Sequence, residues 1–163
     1  MNADNATADT GQSKRAPRLP PRWFIRSAWI VHRAALRLTR RRFGLRAATA
    51  GKSGYLQLAT MGRRTGKERS AILAYIDDGP NLVTLAMNGW GEDAPAWWLN
   101  LEAQPDATVD LPDGSRPVRA RAATKDERAR LWQMLNGGAW GDLEGYAARR
   151  TRETPIVILE PRG

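Results

Sequence analysis

The sequence predicts a mainly β domain with flanking helices, an α+β arrangement built on an antiparallel sheet or barrel, and three observations carry that expectation. Short strand-like runs follow one another with tight polar turns between them: Tyr55 to Met61, Arg69 to Ile76 and Asn81 to Met87 are separated by Gly62-Arg63-Arg64-Thr65-Gly66 and by Asp77-Asp78-Gly79-Pro80. Helix signals stand before this meander and between its later strands, and no internal repeat is visible. The chain has 163 residues of which 42% are apolar, which suits one core and one folded domain.

Taken in order, residues 1–17 are Asn, Ala, Asp, Thr, Gly and Ser with little apolar surface, and read as a disordered tail. Residues 18–46 read as a basic amphipathic helix. Pro20 and Pro21 suit its first turn, Arg22, Arg26, Arg33, Arg37 and Arg40 share one face with Trp29, and Phe24, Ser27, Val31, Ala34, Ala35 and Leu38 share the opposite one; Gly44 is a stop signal. Residues 51–163 form the folded domain. After the three-strand meander, Asn88 to Ala94 is a loop and Pro95 to Ala103 a short helix with proline near its start. Thr108 to Leu111 and Arg116 to Ala122 are strands joined by Pro112-Asp113-Gly114. Thr124 with Glu127 three residues on has capping-box spacing for a helix running through Leu131 and Leu135 to Gly137-Gly138. A last helix covers Leu143 to Arg150, and Thr154 to Leu159 is a final strand whose unbroken apolar run suggests burial on both faces.

Composition excludes several chemistries. The chain has no cysteine, hence no disulfide, thiol nucleophile or thiolate metal site, and the single histidine, His32, excludes multi-histidine metal sites. Catalysis must then come from a bound cofactor or from Arg, Tyr, Trp, Asp and Glu. The net charge of +9 is unevenly placed: residues 1–67 hold 15 of the 26 Lys and Arg but 2 of the 17 Asp and Glu. That asymmetry suggests a polyanionic partner for the first part of the chain: nucleic acid, anionic lipid or an anionic cofactor. No run approaches the ~20 apolar residues that span a bilayer, and the polar N-terminus is unlike a secretory signal. A cytoplasmic location is expected, with peripheral attachment to the inner face of the cell membrane through residues 20–43 as one use of the basic helix. The other uses are packing of its apolar face on the domain and nucleic-acid binding, which no recognised binding module accompanies.

The densest candidate site is Gly62-Arg63-Arg64-Thr65-Gly66-Lys67-Glu68-Arg69. Glycines allow a tight turn and close approach of a ligand, loop amides can point inward, and arginine forks match phosphate or carboxylate. A basic hairpin tip left in water fits the same residues. Further on, Leu85-Ala86-Met87-Asn88-Gly89-Trp90-Gly91 ends a strand in small residues, and Ala94-Pro95-Ala96-Trp97-Trp98-Leu99-Asn100-Leu101 opens a helix whose N-terminus favours anions. Adjacent indoles at Trp97 and Trp98 offer flat surfaces to a planar ring or simply fill core.

The ordered series LATMGRRTGKERSAILAY, VTLAMNGWGEDAPAWWLNLEAQPDATVDL, RARAATKDERARLW and GYAARRTRETPIVILEP resembles the deazaflavin (coenzyme F-420)-dependent nitroreductase family of quinone and nitro reductases, over about residues 54–162. The resemblance implies an FMN-binding-like split β-barrel. It implies coenzyme F-420 with its phosphate and glutamyl tail on Arg63, Arg64, Thr65 and Gly66, with Lys67 and Arg69 nearby, and its ring against Ala86, Met87 and Asn88 and against Pro95, Ala96 and Trp97. Flavin mononucleotide is the alternative cofactor on this fold, though a double-arginine turn suits a longer anionic tail. The implied reaction moves a hydride from the reduced coenzyme to a quinone, enone or nitroaromatic acceptor, possible substrates including menaquinone-like lipids. An oxyanion then develops on the acceptor, for which Tyr146 is the first candidate donor and Asn88 the second; Trp98, Trp140, Leu143 and Tyr146 would wall the acceptor pocket. This chain departs from the nitroimidazole-reducing members in having Met87-Asn88 where they have Ser-Lys, and in keeping one pocket tyrosine where they have several. The alternative function is a non-catalytic protein of the same fold that holds the deazaflavin or a lipid.

Overall fold

The computed structural model describes residues 44–88, 91–136, 140–148 and 150–163. Six strands, β1 (Gly54–Met61), β2 (Glu68–Asp78), β3 (Asn81–Leu85), β4 (Asp106–Leu111), β5 (Gly114–Ala122) and β6 (Ile156–Pro161), close into a barrel in the order β1-β2-β3-β6-β5-β4. Every neighbouring pair is antiparallel, and β1 meets β4 through Gln57, Leu58 and Ala59 opposite Asp110, Val109 and Thr108. Closure removes the exposed edges that an open meander would leave. Among the described residues three helices accompany the barrel: α1 (Ala96–Ala103), α2 (Lys125–Leu135) and α3 (Leu143–Ala147).

Strand alternation divides the apolar residues between two cores. Leu56 and Leu58 of β1, Val109 and Leu111 of β4, Val118 and Ala120 of β5, and Val157 and Leu159 of β6 form the inner core, and α1 adds Trp97, Trp98 and Leu101 to it. The outer core lies over β3 and β6, where Val83, Leu85, Ile156 and Ile158 meet Leu131 and Leu135 of α2 and Trp140 and Leu143 beside α3. The apolar run of β6 is therefore buried on both faces, as its sequence suggests.

Local signals in α2 are realised as read. Thr124 Oγ1 accepts from the Glu127 amide at 3.4 Å, and Glu127 Oε2 accepts from the Thr124 amide at 2.8 Å, a complete capping box. The same carboxylate takes two hydrogen bonds from Arg121, at 2.7 and 2.8 Å, while Arg121 Nε reaches Glu160 at 2.7 Å. These bonds, first from Arg121 and then from the Thr124 amide, lower the Glu127 pKa to about 2. Arg130 holds Asp78 with bonds of 2.7 and 3.0 Å, which lower that carboxyl's pKa and fasten α2 to the end of β2.

Several boundaries differ from the sequence reading. β3 stops at Leu85 instead of Met87, because the Ala86 amide donates to the Pro155 carbonyl at 2.9 Å and the Met87 amide folds back to Leu85 at 2.9 Å. β6 starts at Ile156 instead of Thr154: Pro155 has no N–H, and the Thr154 carbonyl accepts from Arg128 at 2.9 Å. β4 starts at Asp106, whose carboxylate meets Arg119 across the ladder at 3.0 Å. α3 ends at Ala147 instead of Arg150, because the Arg150 side chain leaves for Thr154 Oγ1 at 2.9 Å. Of the expected helix over 18–46, residues 18–43 lie outside the described residues, as do the tail 1–17 and the stop signal Gly137-Gly138. Gly44 adopts a positive φ of 93°, and Arg46 bridges to Tyr55 instead of continuing a helix.

Candidate functional site

The basic turn is the six-residue tip joining β1 and β2. Its ends are fastened by the Gly62 amide donating to the Lys67 carbonyl at 2.9 Å, and its interior by the Thr65 and Gly66 amides donating to the Gly62 carbonyl at 3.1 and 2.8 Å. Gly66 has φ +64°, a left-handed conformation that favours glycine. A side chain at Gly62 would sit 2.9 Å from the Lys67 carbonyl oxygen, so the first glycine is required by the close approach of backbone. The Lys67 amide donates to Thr65 Oγ1 at 3.4 Å and the Arg63 amide to Asn100 Oδ1 at 3.2 Å. Most of the turn's amides thus point inward and hold the turn itself. What the turn presents outward is cationic side chains. Arg63, Arg64, Lys67 and Arg69 are all exposed, and among the described residues Arg64, Lys67 and Arg69 have no ion pair.

Asn100, which sequence reasoning quoted without a role, ties this tip to α1. It is only 5% exposed on a helix face otherwise made of Trp97, Trp98 and Leu101. Its Nδ2 donates to Thr60 Oγ1 at 3.1 Å, and its Oδ1 also accepts from Arg63 Nη1 at 3.5 Å. The only advance signal was a polar residue among the apolar residues of a short helix. At the start of α1, Pro95 is buried, Ala96 is exposed, and no side chain caps the helix. The first-turn amides of such a helix attract negative charge. Trp97 and Trp98 are both buried, edge to face with centroids 6.4 Å apart.

The structure ties the tip to the middle of α1 through Arg63 and Asn100, and adds Ala86 to the same inner core as Trp97 and Trp98. Met87 is half-buried against the outer core and Asn88 is exposed, its carbonyl accepting from Gly91 at 3.2 Å. The residues proposed for the acceptor are divided. Trp98 belongs to the inner core and Trp140 and Leu143 to the outer core, while Tyr146 is half-buried on α3. The segment after α3 is joined to the loop before α1 by Glu92, whose carboxylate accepts from the Thr151 amide at 3.3 Å and hydroxyl at 3.0 Å. A cleft of about 550 Å³ opens beside this junction, lined in part by Arg128, Trp132, Glu144, Arg150 and Thr154. None of the four expected pocket residues lines it. Gly89, Trp90 and Arg149 lie outside the described residues.

A closed antiparallel barrel with flanking helices, carrying a basic hairpin tied to one of them, defines a small split-barrel protein of the FMN-binding-like class. The profile of the F420H(2)-dependent quinone reductase family matches residues 31–161, and the chain belongs to that family. An F420H(2)-dependent quinone reductase of Mycobacterium tuberculosis is 31% identical over 147 residues, covering 86% of this chain and 97% of the relative. A second Mycobacterium tuberculosis relative with the same family designation is 36% identical over 107 residues, 66% of this chain and 89% of the relative. Among solved structures, one described as a domain-swapped dimer has a TM-score of 0.62 at 21% identity, covering 83% of this chain and 99% of that one. An F420-H2 dependent reductase (FDR-A) has a TM-score of 0.55 at 24% identity, covering 65% and 93%. These two likenesses show the fold.

As a member of this family the chain is an F420H2-dependent reductase whose cofactor is coenzyme F420. The residues present fit that group: among the described residues Arg64, Lys67 and Arg69 have no ion pair, and such exposed cations suit phosphate and carboxylates.

Proposed function

We propose that this chain passes a hydride from reduced coenzyme F420 to a membrane-soluble quinone of the menaquinone type, with enones and nitroaromatics as further acceptors of the same electron-poor chemistry. The observation that carries the reading is the exposed cationic tip, anchored by Asn100 and, among the described residues, without ion pairs at Arg64, Lys67 and Arg69. In this reading Arg63, Arg64, Thr65 and Gly66 hold the coenzyme's phosphate and glutamyl tail, with Lys67 and Arg69 contributing field. Ala86, Met87 and Asn88 border the ring on one side, and Pro95, Ala96 and Trp97 on the other.

When bound, the reduced coenzyme supplies the hydride; the protein supplies position and field. Negative charge develops on the acceptor oxygen, and Tyr146 donates its phenolic hydrogen bond there, with the Asn88 amide as second donor. Tyr146, Trp98, Trp140 and Leu143 border the acceptor side in this assignment. Burial of Trp98, Trp140 and Leu143 makes their share one of shaping the walls from behind. Residues 20–43 carry the basic amphipathic pattern that suits an anionic membrane surface, where quinones of this type dissolve.

The test is a fluorescence titration of the protein with coenzyme F420 and with flavin mononucleotide, followed by addition of menadione to the reduced complex. Charged hydrogen bonds are worth ~1.5–3 kcal/mol each, and exposure of the tip discounts this through solvent screening. Arg63→Ala with Arg64→Ala should therefore weaken coenzyme binding by about 10- to 100-fold. Unchanged affinity in the double variant removes the tip from the binding site. Tight coenzyme binding with no reoxidation by any quinone leaves a carrier in place of a reductase.

A further inference from the structure

We propose that Asn100 is the positioning residue of the coenzyme clamp, its buried amide setting the Arg63 backbone and guanidinium so that the tip grips an anionic tail. The inference rests on the proposed role of the Arg63–Thr65 tip. Asn100 and Arg63 are 37 residues apart, yet one side-chain oxygen accepts from both the amide of Arg63 at 3.2 Å and its Nη1 at 3.5 Å. The facing atoms on Arg63 are all donors, so the amide must present oxygen there and nitrogen to its other neighbour. That neighbour is Thr60 Oγ1 at 3.1 Å, and the Thr60 hydroxyl in turn donates to the Arg69 carbonyl at 3.5 Å.

Thr60 and Arg69 are directly opposite each other in the β1–β2 ladder. The single amide therefore touches the root of the hairpin on one side and its tip on the other. A hairpin tip of exposed cations would otherwise sample many orientations, and ordering it at binding would cost entropy. Asn100 removes that freedom in advance. It also links the tip to the face of α1 one turn beyond Ala96, so the clamp and the helix start keep one relative placement. The bond to Arg63 Nη1 uses one of five guanidinium N–H groups, leaving the fork free to meet phosphate or carboxylate.

The experiment compares two probes on the full chain: coenzyme F420, and 8-hydroxy-5-deazariboflavin, which has the same ring and lacks the phosphate and glutamyl tail. Asn100→Leu keeps the shape and removes all three side-chain hydrogen bonds. It should raise the Kd for the coenzyme about tenfold or more, as expected for an ordered clamp losing its anchor, and leave the Kd for the tail-less ring unchanged. Thr60→Val, which frees the other end of the amide, should show a smaller loss in the same direction and serves if the leucine variant does not fold. Equal weakening of both probes, or wild-type coenzyme binding in both variants, overturns the inference. The double variant Arg63→Ala with Arg64→Ala separates the two levels. If it weakens coenzyme binding while Asn100→Leu does not, only the positioning role fails; if it binds normally, the clamp and the inference fall together.

Discussion

Replacing Gly54 with alanine should break the packing of residues 46–48 on the start of β1, at the end of the strand away from the basic tip. Gly54 begins β1 opposite Tyr75, and the segment before it doubles back across this position. A Cβ there would lie 2.5 Å from the Ala48 backbone nitrogen, 2.5 Å from Tyr75 Cε1 and 2.6 Å from the Arg46 carbonyl oxygen. Two of these are backbone atoms, so no side-chain rotation relieves the overlap. Residues 46–48 must withdraw, which opens the pair of bonds between Arg46 and Tyr55, at 3.1 and 2.7 Å, and the bond from the Ala48 amide to the Tyr75 hydroxyl at 3.2 Å. Three net hydrogen bonds at ~0.5–1.5 kcal/mol each give a destabilisation of about 2–4 kcal/mol. For a chain of this size that lowers Tm by roughly 5–15 °C. Urea unfolding followed by circular dichroism at 222 nm measures the change, with a thermal scan as the check. A Gly54→Ala protein within about 0.5 kcal/mol of wild type, the range of an ordinary surface substitution, would refute the packing of residues 46–48 on β1.

The acid sensitivity of α2 follows from Glu127. Its folded-state pKa is lowered to about 2, so its contribution is complete above the ordinary carboxylate range and disappears as pH falls toward about 2. Stability measured in urea from pH 6 to pH 2 should decline through that window, and Glu127→Gln should flatten the decline; an unchanged slope in the variant counts against the Arg121–Glu127 pair as its source. For catalysis, Tyr146→Phe should leave coenzyme affinity unchanged and lower the rate of quinone reduction by roughly 100- to 1000-fold, the scale of losing one donor to a developing oxyanion. An unaltered turnover number with menadione would remove Tyr146 from that role.

Features that depend on neighbours a few residues apart were legible in the chain. The strand run from Tyr55 to Met61, the glycine-bounded turn at 62–66, the spacing of Thr124 and Glu127 and the apolar run of β6 each express a rule that acts within one turn or one hairpin. The basic tip was legible for the same reason. Boundaries moved where a distant partner intervened: β3 ended at Leu85 because Pro155, seventy residues on, supplied the acceptor for Ala86, and α3 shortened because Arg150 turned toward Thr154.

By itself, then, the sequence determined a cysteine-free, strand-rich domain with a cationic hairpin, since residue type and short-range spacing suffice to choose turns, strands and caps. Tertiary structure alone decided which tryptophans are core, that the tip's amides face inward on themselves, and that Asn100 and Glu92 join segments 37 and 59 residues apart. Those outcomes follow from barrel closure, in which β1 meets β4 and β3 meets β6. Closure sets side chains from remote parts of the chain within hydrogen-bonding distance, and no local pattern encodes such a meeting.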